Sequence, residues 1–147
     1  MIWDLPWLAN SLIKDHHWSC KGRNSDVQAA PSRRNGGNMW SKALTYRLKP
    51  GYYTQYKKAH DEIWPELAIA MTQCEVNMII HHFEERLYLY MTAPSEEHFE
   101  RSHTGEIAEK WLEYMATMMI TDEDGKTILD EMDTAFVFGS YKDVLSS

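Results

Sequence analysis

The sequence predicts an α+β domain of ferredoxin-like type, an antiparallel sheet in β-α-β-β-α-β order with its helices on one face. Three observations carry that expectation. Four segments, residues 42–48, 75–83, 86–92 and 134–141, have strand character. Helical patterns fill the first and last intervals between them. Only Glu84-Glu85 separates the middle two, which suits a hairpin.

The elements follow in order. In residues 42–48, Leu44, Tyr46 and Leu48 alternate with Ala43, Thr45 and Arg47, the period of a strand. Pro50-Gly51 signals a turn. Over residues 52–62, Tyr53, Tyr56, Lys57 and His60 recur at helical spacing. Pro65 cannot continue that helix and suits the first turn of a second, residues 65–73, with Leu67, Ala68 and Met71 inward. After the hairpin, Pro94-Ser95 opens a short helix at 95–102. A longer helix at 105–119 sets Ile107, Ala108, Trp111, Met115 and Met118 on one side. Acidic residues 122–124 and Gly125 form a loop, and residues 134–141 supply the last strand. Such a sheet keeps one face open. Tyr46, Tyr88, Tyr90, Phe136 and Phe138 are assigned to it, and so apolar a face is expected to be covered by a second subunit.

Composition bounds the function classes. The chain has 147 residues, room for one domain with a substantial core. A net charge of −7 argues against nucleic acid and anionic membranes as partners. No apolar run reaches the length of a membrane span, and the first twenty residues lack the pattern of a secretory signal, so a cytoplasmic location is expected. Cys20 and Cys74 make neither a disulfide framework nor a zinc ligand set. Residues 21–38 hold no aromatic residue and only Val27 of branched aliphatic type, too little to offset ordering entropy. Residues 1–38 are therefore expected to be a disordered extension at +2, with Met39 a natural start. Residues 39–147, at −9, form the working domain.

Three stretches can carry chemistry. In Tyr56-Lys57-Lys58-Ala59-His60, a four-residue spacing puts a phenol and an imidazole on one helix face. The imidazole can move a proton near neutral pH. A phenol can bind a hydroxyl while its ring packs against C–H groups. In His60-Asp61-Glu62-Ile63-Trp64-Pro65-Glu66, a helix break directly after the histidine leaves its side chain at a helix end, with Trp64 either a wall of a site or a core anchor. Trp111-Leu112-Glu113-Tyr114-Met115 is either a core stripe or an aromatic wall.

The ordered set Tyr56-x3-His60-x3-Trp64-Pro65-Glu66, then Asn77 in a hairpin strand, then Trp111-x2-Tyr114-Met115, resembles the L-rhamnose mutarotase family over about residues 39–140. The resemblance implies a homodimeric α/β-barrel of ferredoxin-like subunits. It implies interconversion of the α and β anomers of a 6-deoxyhexose without metal or cofactor. The position matching His60 is the family's proton donor, and that matching Tyr56 binds sugar. A strand tyrosine and a late-helix tryptophan pair also line the family's pocket. Aligned on Asn77, Met78 stands where the tyrosine would be. Trp111 keeps the first tryptophan and Leu112 replaces the second. The implied substrate site is thus His60 with Tyr56, Trp64, Met78, Trp111 and Leu112. A lost phenol hydroxyl relaxes discrimination among sugars, so a shift to L-fucose or another hexose, or a loss of activity, competes with action on L-rhamnose.

Two further readings compete. One is a non-catalytic dimeric module of the same fold that binds a small ligand. The other is a small monooxygenase or haem-binding relative using His81, His82 or His103. Neighbouring strand histidines point to opposite faces, which disfavours a shared metal.

Overall fold

The computed structural model describes residues 39–145. The expected extension at 1–38 and the Met39 start lie outside the described residues. Four strands, β1 (Trp40–Arg47), β2 (Asn77–Phe83), β3 (Arg86–Ala93) and β4 (Leu129–Glu131), form one sheet in the order β2-β3-β1-β4, antiparallel throughout. The helices are α1 (Tyr53–Asp61), α2 (Pro65–Gln73), α3 (Glu96–Ser102), α4 (Glu106–Ala116) and α5 (Tyr141–Val144). Among the described residues no helix is long and apolar enough to cross a membrane. The sheet order and the helices between strands are those of a ferredoxin-like α+β fold.

Local chemistry explains the boundaries. Gly51 sits at φ +81°, a left-handed conformation that closes the turn before α1. Trp64 is extended at φ −59°, ψ 129°, as a residue before proline prefers, and Pro65 occupies the first turn of α2. The Ser95 hydroxyl accepts from the His98 backbone N–H and caps α3. Strand β2 starts at Asn77 rather than at residue 75. Glu75 takes φ +56° at the end of α2, and Val76 N–H donates back to the Met71 carbonyl, so these two residues close the helix. The hairpin falls where expected, with Phe83 opposite Arg86.

Two expectations are corrected. Residues 134–141 are not a strand. The edge position is taken by β4, which pairs three residues with Leu44–Tyr46, and Met132 N–H to the Ala43 carbonyl is the adjoining bond. Beyond it the chain leaves the sheet, and Phe136 and Phe138 are 80% and 81% exposed. Strand propensity describes fit to a half-buried pleated surface, and a segment without a ladder partner gains nothing from it. The second correction concerns Tyr46. It lies opposite Leu87 and is 5% exposed in the core, on the face covered by helices, whereas Tyr88 and Tyr90 point the other way with Thr45 and Ala43. A one-residue offset along a strand reverses the face.

The core sits between sheet and helices. Leu48, Leu87, Met115 and Met118 are nearly inaccessible there, packed with Tyr46, Tyr56, Leu67 and Trp111. A second cluster joins Leu44, Met91 and Ala93 to Phe99 of α3. The far face carries Tyr88, Tyr90, Ile79 and Phe83. Ile79 is 50% and Phe83 66% exposed, and Tyr141 of α5 meets Tyr90 edge-on at 6.5 Å.

Candidate active site

The end of α1 carries the site. Tyr56 and His60 are one turn apart, their ring centroids 4.2 Å from each other. His60 Nδ1 lies 3.0 Å from the Tyr56 carbonyl oxygen. A carbonyl only accepts, so Nδ1 carries the hydrogen in both charge states and Nε2 is the nitrogen that gains or loses a proton. Burial pushes the His60 pKa below that of an ordinary imidazole, against the opposing pull of that carbonyl and of Asp61. Near neutral pH the side chain is therefore chiefly neutral, with an unprotonated Nε2.

Aromatic rings wall the imidazole. Trp111 of α4 meets His60 edge-on at 5.3 Å, and Trp64, at the helix break, meets Trp111 edge-on at 5.3 Å. Tyr114 stacks parallel to Trp64 at 6.1 Å. Trp111 is 7% exposed, and Trp64 is half-buried against the core, so each serves as both wall and packing anchor. The structure thus brings together His60, Tyr56, Trp111 and Trp64. Met78 is 37% exposed on β2 and shares the helix-facing side with Ile80, which packs on the main core. Leu112 is half-buried on α4 beside Trp111. Neither substituted position belongs to the ring contacts around His60.

Two contacts escaped sequence reasoning. The Tyr46 hydroxyl lies 2.8 Å from that of Tyr56, both side chains buried, and burial raises both phenol pKa values so that both stay neutral. The signal was available, since Tyr46 alternates in phase with Leu44 and Leu48. Tyr53 of α1 stacks on His82 of β2, centroids 3.6 Å apart and planes within 8°. No pattern in the sequence links positions 53 and 82. The histidines considered as metal ligands are dispersed: His81 is exposed on the far face, His82 lies under α1, and His103 stacks on Phe99 at 4.3 Å. Among the described residues no three His, Cys, Asp or Glu side chains converge on one point.

His82 makes a stability prediction. Its Nε2 is buried without a partner among the described residues, and such an atom forfeits about 1–3 kcal/mol. His82→Phe keeps the flat stack on Tyr53 and removes the orphan. Its Tm is expected to rise by a few degrees, about 1 kcal/mol of stability. A lower Tm in thermal denaturation would mean that Nε2 finds a partner after all.

Comparison with known proteins decides the family. The family profile described as L-rhamnose mutarotase matches residues 41–138. The chain belongs to the L-rhamnose mutarotase family. An L-rhamnose mutarotase of Tolumonas auensis is 31% identical over 101 residues, covering 67% of this chain and 97% of that protein. One from Shouchella clausii is 30% identical over 105 residues, covering 67% and 97%. The crystal structure of an L-rhamnose mutarotase from Formosa agariphila superposes with a TM-score of 0.57 at 24% identity, covering 67% of this chain and 98% of that one, a likeness of fold. Of the ordered set that resembles the mutarotase family, Tyr56, His60, Trp64, Trp111 and Tyr114 have rings in contact with one another in this fold.

Proposed function

We propose that the protein interconverts the α and β anomers of a 6-deoxyhexose, L-rhamnose in the first place, with His60 moving the proton. The observation that carries this reading is the anchored imidazole: Nδ1–H is held by a backbone carbonyl and Nε2 is left neutral beside aromatic rings. Mutarotation removes the C1 hydroxyl proton, breaks the C1–O5 bond with its electron pair passing to O5, and protonates O5. Rotation about C1–C2 and reclosure give the other anomer. The depressed pKa makes His60 a base first. Nε2 takes the C1 hydroxyl proton, and the resulting imidazolium is the acid that returns it. O1 and O5 hang from the same carbon, so one group can serve both in turn. Tyr56 and Trp111 hold the sugar, and Trp64 supports the wall. On this reading Met78 and Leu112 stand where the family resemblance expects a tyrosine and a second tryptophan, and the loss of a hydroxyl and a stacking face there favours a test of L-fucose beside L-rhamnose.

The experiment is saturation-transfer NMR of the anomeric protons, with and without protein, across L-rhamnose, L-fucose and other aldoses. Faster exchange for a 6-deoxyhexose is expected. Exchange at the solvent rate for every sugar removes the reading in favour of a non-catalytic ligand-binding module. The reading carries with it a cytoplasmic location, where a free reducing sugar enters metabolism, and a working domain over residues 39–147.

A homodimer that closes an α/β-barrel belongs to the same proposal. It is supported by the apolar far face, where Ile79, Phe83, Tyr88 and Tyr90 line a surface of the kind monomers rarely leave open. The wild type is expected at twice the chain mass by sedimentation. Ile79→Glu, which places a charge on that face, should shift the mass to the monomer. A monomeric wild type would sink the barrel.

A further inference from the structure

We propose that Tyr46 is a positioning residue of the sugar site, its hydroxyl donating to Tyr56 so that the Tyr56 hydrogen is left to be given to a sugar oxygen. The proposal rests on the mutarotase reading of Tyr56 and extends it to a residue of the sheet.

The two hydroxyl oxygens are 2.8 Å apart and the side chains are 5% and 4% exposed. One hydrogen bond joins two groups that together own two hydrogens, so one hydrogen is shared and one is spare. Its placement follows from the surroundings. Tyr46 stands on β1 between Leu87 and Leu129 on the helix-facing side, and Leu48, Met115 and Met118 complete the same core. A hydroxyl hydrogen aimed into those side chains has no acceptor, and a buried donor left unpaired costs more than a lone pair left unfilled. Tyr56 belongs to the same core and either hydroxyl could donate within the pair, but only the Tyr56 ring also lies against His60, so the arrangement proposed has Tyr46 donating to Tyr56. The spare hydrogen then belongs to Tyr56.

The consequence is directional. A phenol that accepts one hydrogen bond is polarised into a better donor of its own hydrogen. Burial keeps both phenols neutral across the physiological range, so neither becomes a competing base. Tyr56 then offers a donor to an oxygen at the reacting end of the sugar, while His60 Nε2 offers an acceptor. Ring opening needs that pair, since one oxygen sheds a proton as the other gains one. Tyr46 itself touches no substrate and acts only through Tyr56.

The test is a double-mutant cycle in anomer exchange with Tyr46→Phe, Tyr56→Phe and the double variant, each checked for Tm. Tyr46→Phe keeps the ring and removes one hydroxyl. The expected result is a loss of about 10-fold in kcat/KM for Tyr46→Phe in the wild-type background and no further loss when Tyr56 is already Phe. A role in packing alone would lower the rate equally in both backgrounds, and that result overturns the proposal, as does full activity of Tyr46→Phe. A second measurement is independent of turnover. In protein carrying 13C at tyrosine Cζ, the Tyr56 signal should move on Tyr46→Phe and lose its response to added L-rhamnose. If the wild type exchanges no sugar, the mutarotase reading fails by itself, and this signal still decides: a Tyr56 resonance unchanged by Tyr46→Phe overturns the positioning role.

Discussion

His60→Ala is expected to lower anomer exchange by about 10²–10⁴-fold while leaving the fold in place. The fold should survive because His60 is only half-buried near the end of α1, alanine is the best helix former, and the bond from Nδ1 to the Tyr56 carbonyl is local. The loss should fall on turnover, since Trp111 and Tyr56 still bound the site. The pH dependence follows from the direction of the pKa shift. Burial lowers the folded value, so neutral His60 is fully present at and above neutral pH, and wild-type activity should be flat there. It should fall only as the solution becomes acid enough to protonate the buried ring. In His60→Ala the residual rate should show no such limb. Stability has the matching sign. The unfolded imidazole binds its proton more readily than the folded one, so wild-type stability declines as pH drops below the ordinary histidine value of about 6.5. His103, also lowered by burial, adds to that decline in both proteins. Saturation-transfer rates and thermal melts between mildly acid and neutral pH check both statements. An unchanged rate in the variant would remove His60 from the chemistry.

How much of this was legible in the sequence depends on the range of the interaction. Alternation marked β1, the two residues Glu84-Glu85 marked the hairpin, and Pro65 marked where α1 gives way to α2, because each feature acts within a few residues. The grouping of Tyr56 with His60 was legible for the same reason, being set by one helical turn. Bringing Trp111 against His60 needed the fold, but its spacing to Met115 had already placed it on the inward side of α4. The misreadings came from non-local causes. Residues 134–141 have strand composition, yet β4 at 129–131 occupies the edge beside β1, and nothing within 134–141 says which register wins. Aromatic content alone assigns Tyr46 to the open face, whereas its alternation with Leu44 and Leu48 points to the core, where it lies. The Tyr53–His82 stack joins positions 29 residues apart through the packing of a helix on an edge strand. The protonation state of His60 was equally invisible: an imidazole begins near neutrality and only its burial says which way it moves.

Trp111 is the residue at which fold and site cannot be separated, and its replacement should show both. Its ring is 7% exposed and holds His60, Trp64 and Tyr114 by edge contacts. Trp111→Ala removes the largest side chain of the main core and leaves a cavity beneath α4, a change that costs about 3–5 kcal/mol. A domain of this size has roughly 5–15 kcal/mol in total, so Tm should fall by about 15 °C or more. Loss of activity in that variant would say little, since the wall behind the imidazole collapses with the core. Trp111→Phe separates the two effects. It keeps an aromatic ring at the position, so most of the packing and the native melt should survive. The smaller ring covers less of a bound sugar and supports Trp64 less well. KM should rise several-fold while turnover, which depends on His60, changes little. Kinetics as a function of sugar concentration, run beside calorimetry on both variants, distinguishes the outcomes. A Phe variant that is stable and has an unchanged KM would show that Trp111 is a core residue alone, and the stacking surface for the sugar would then have to be sought at Trp64.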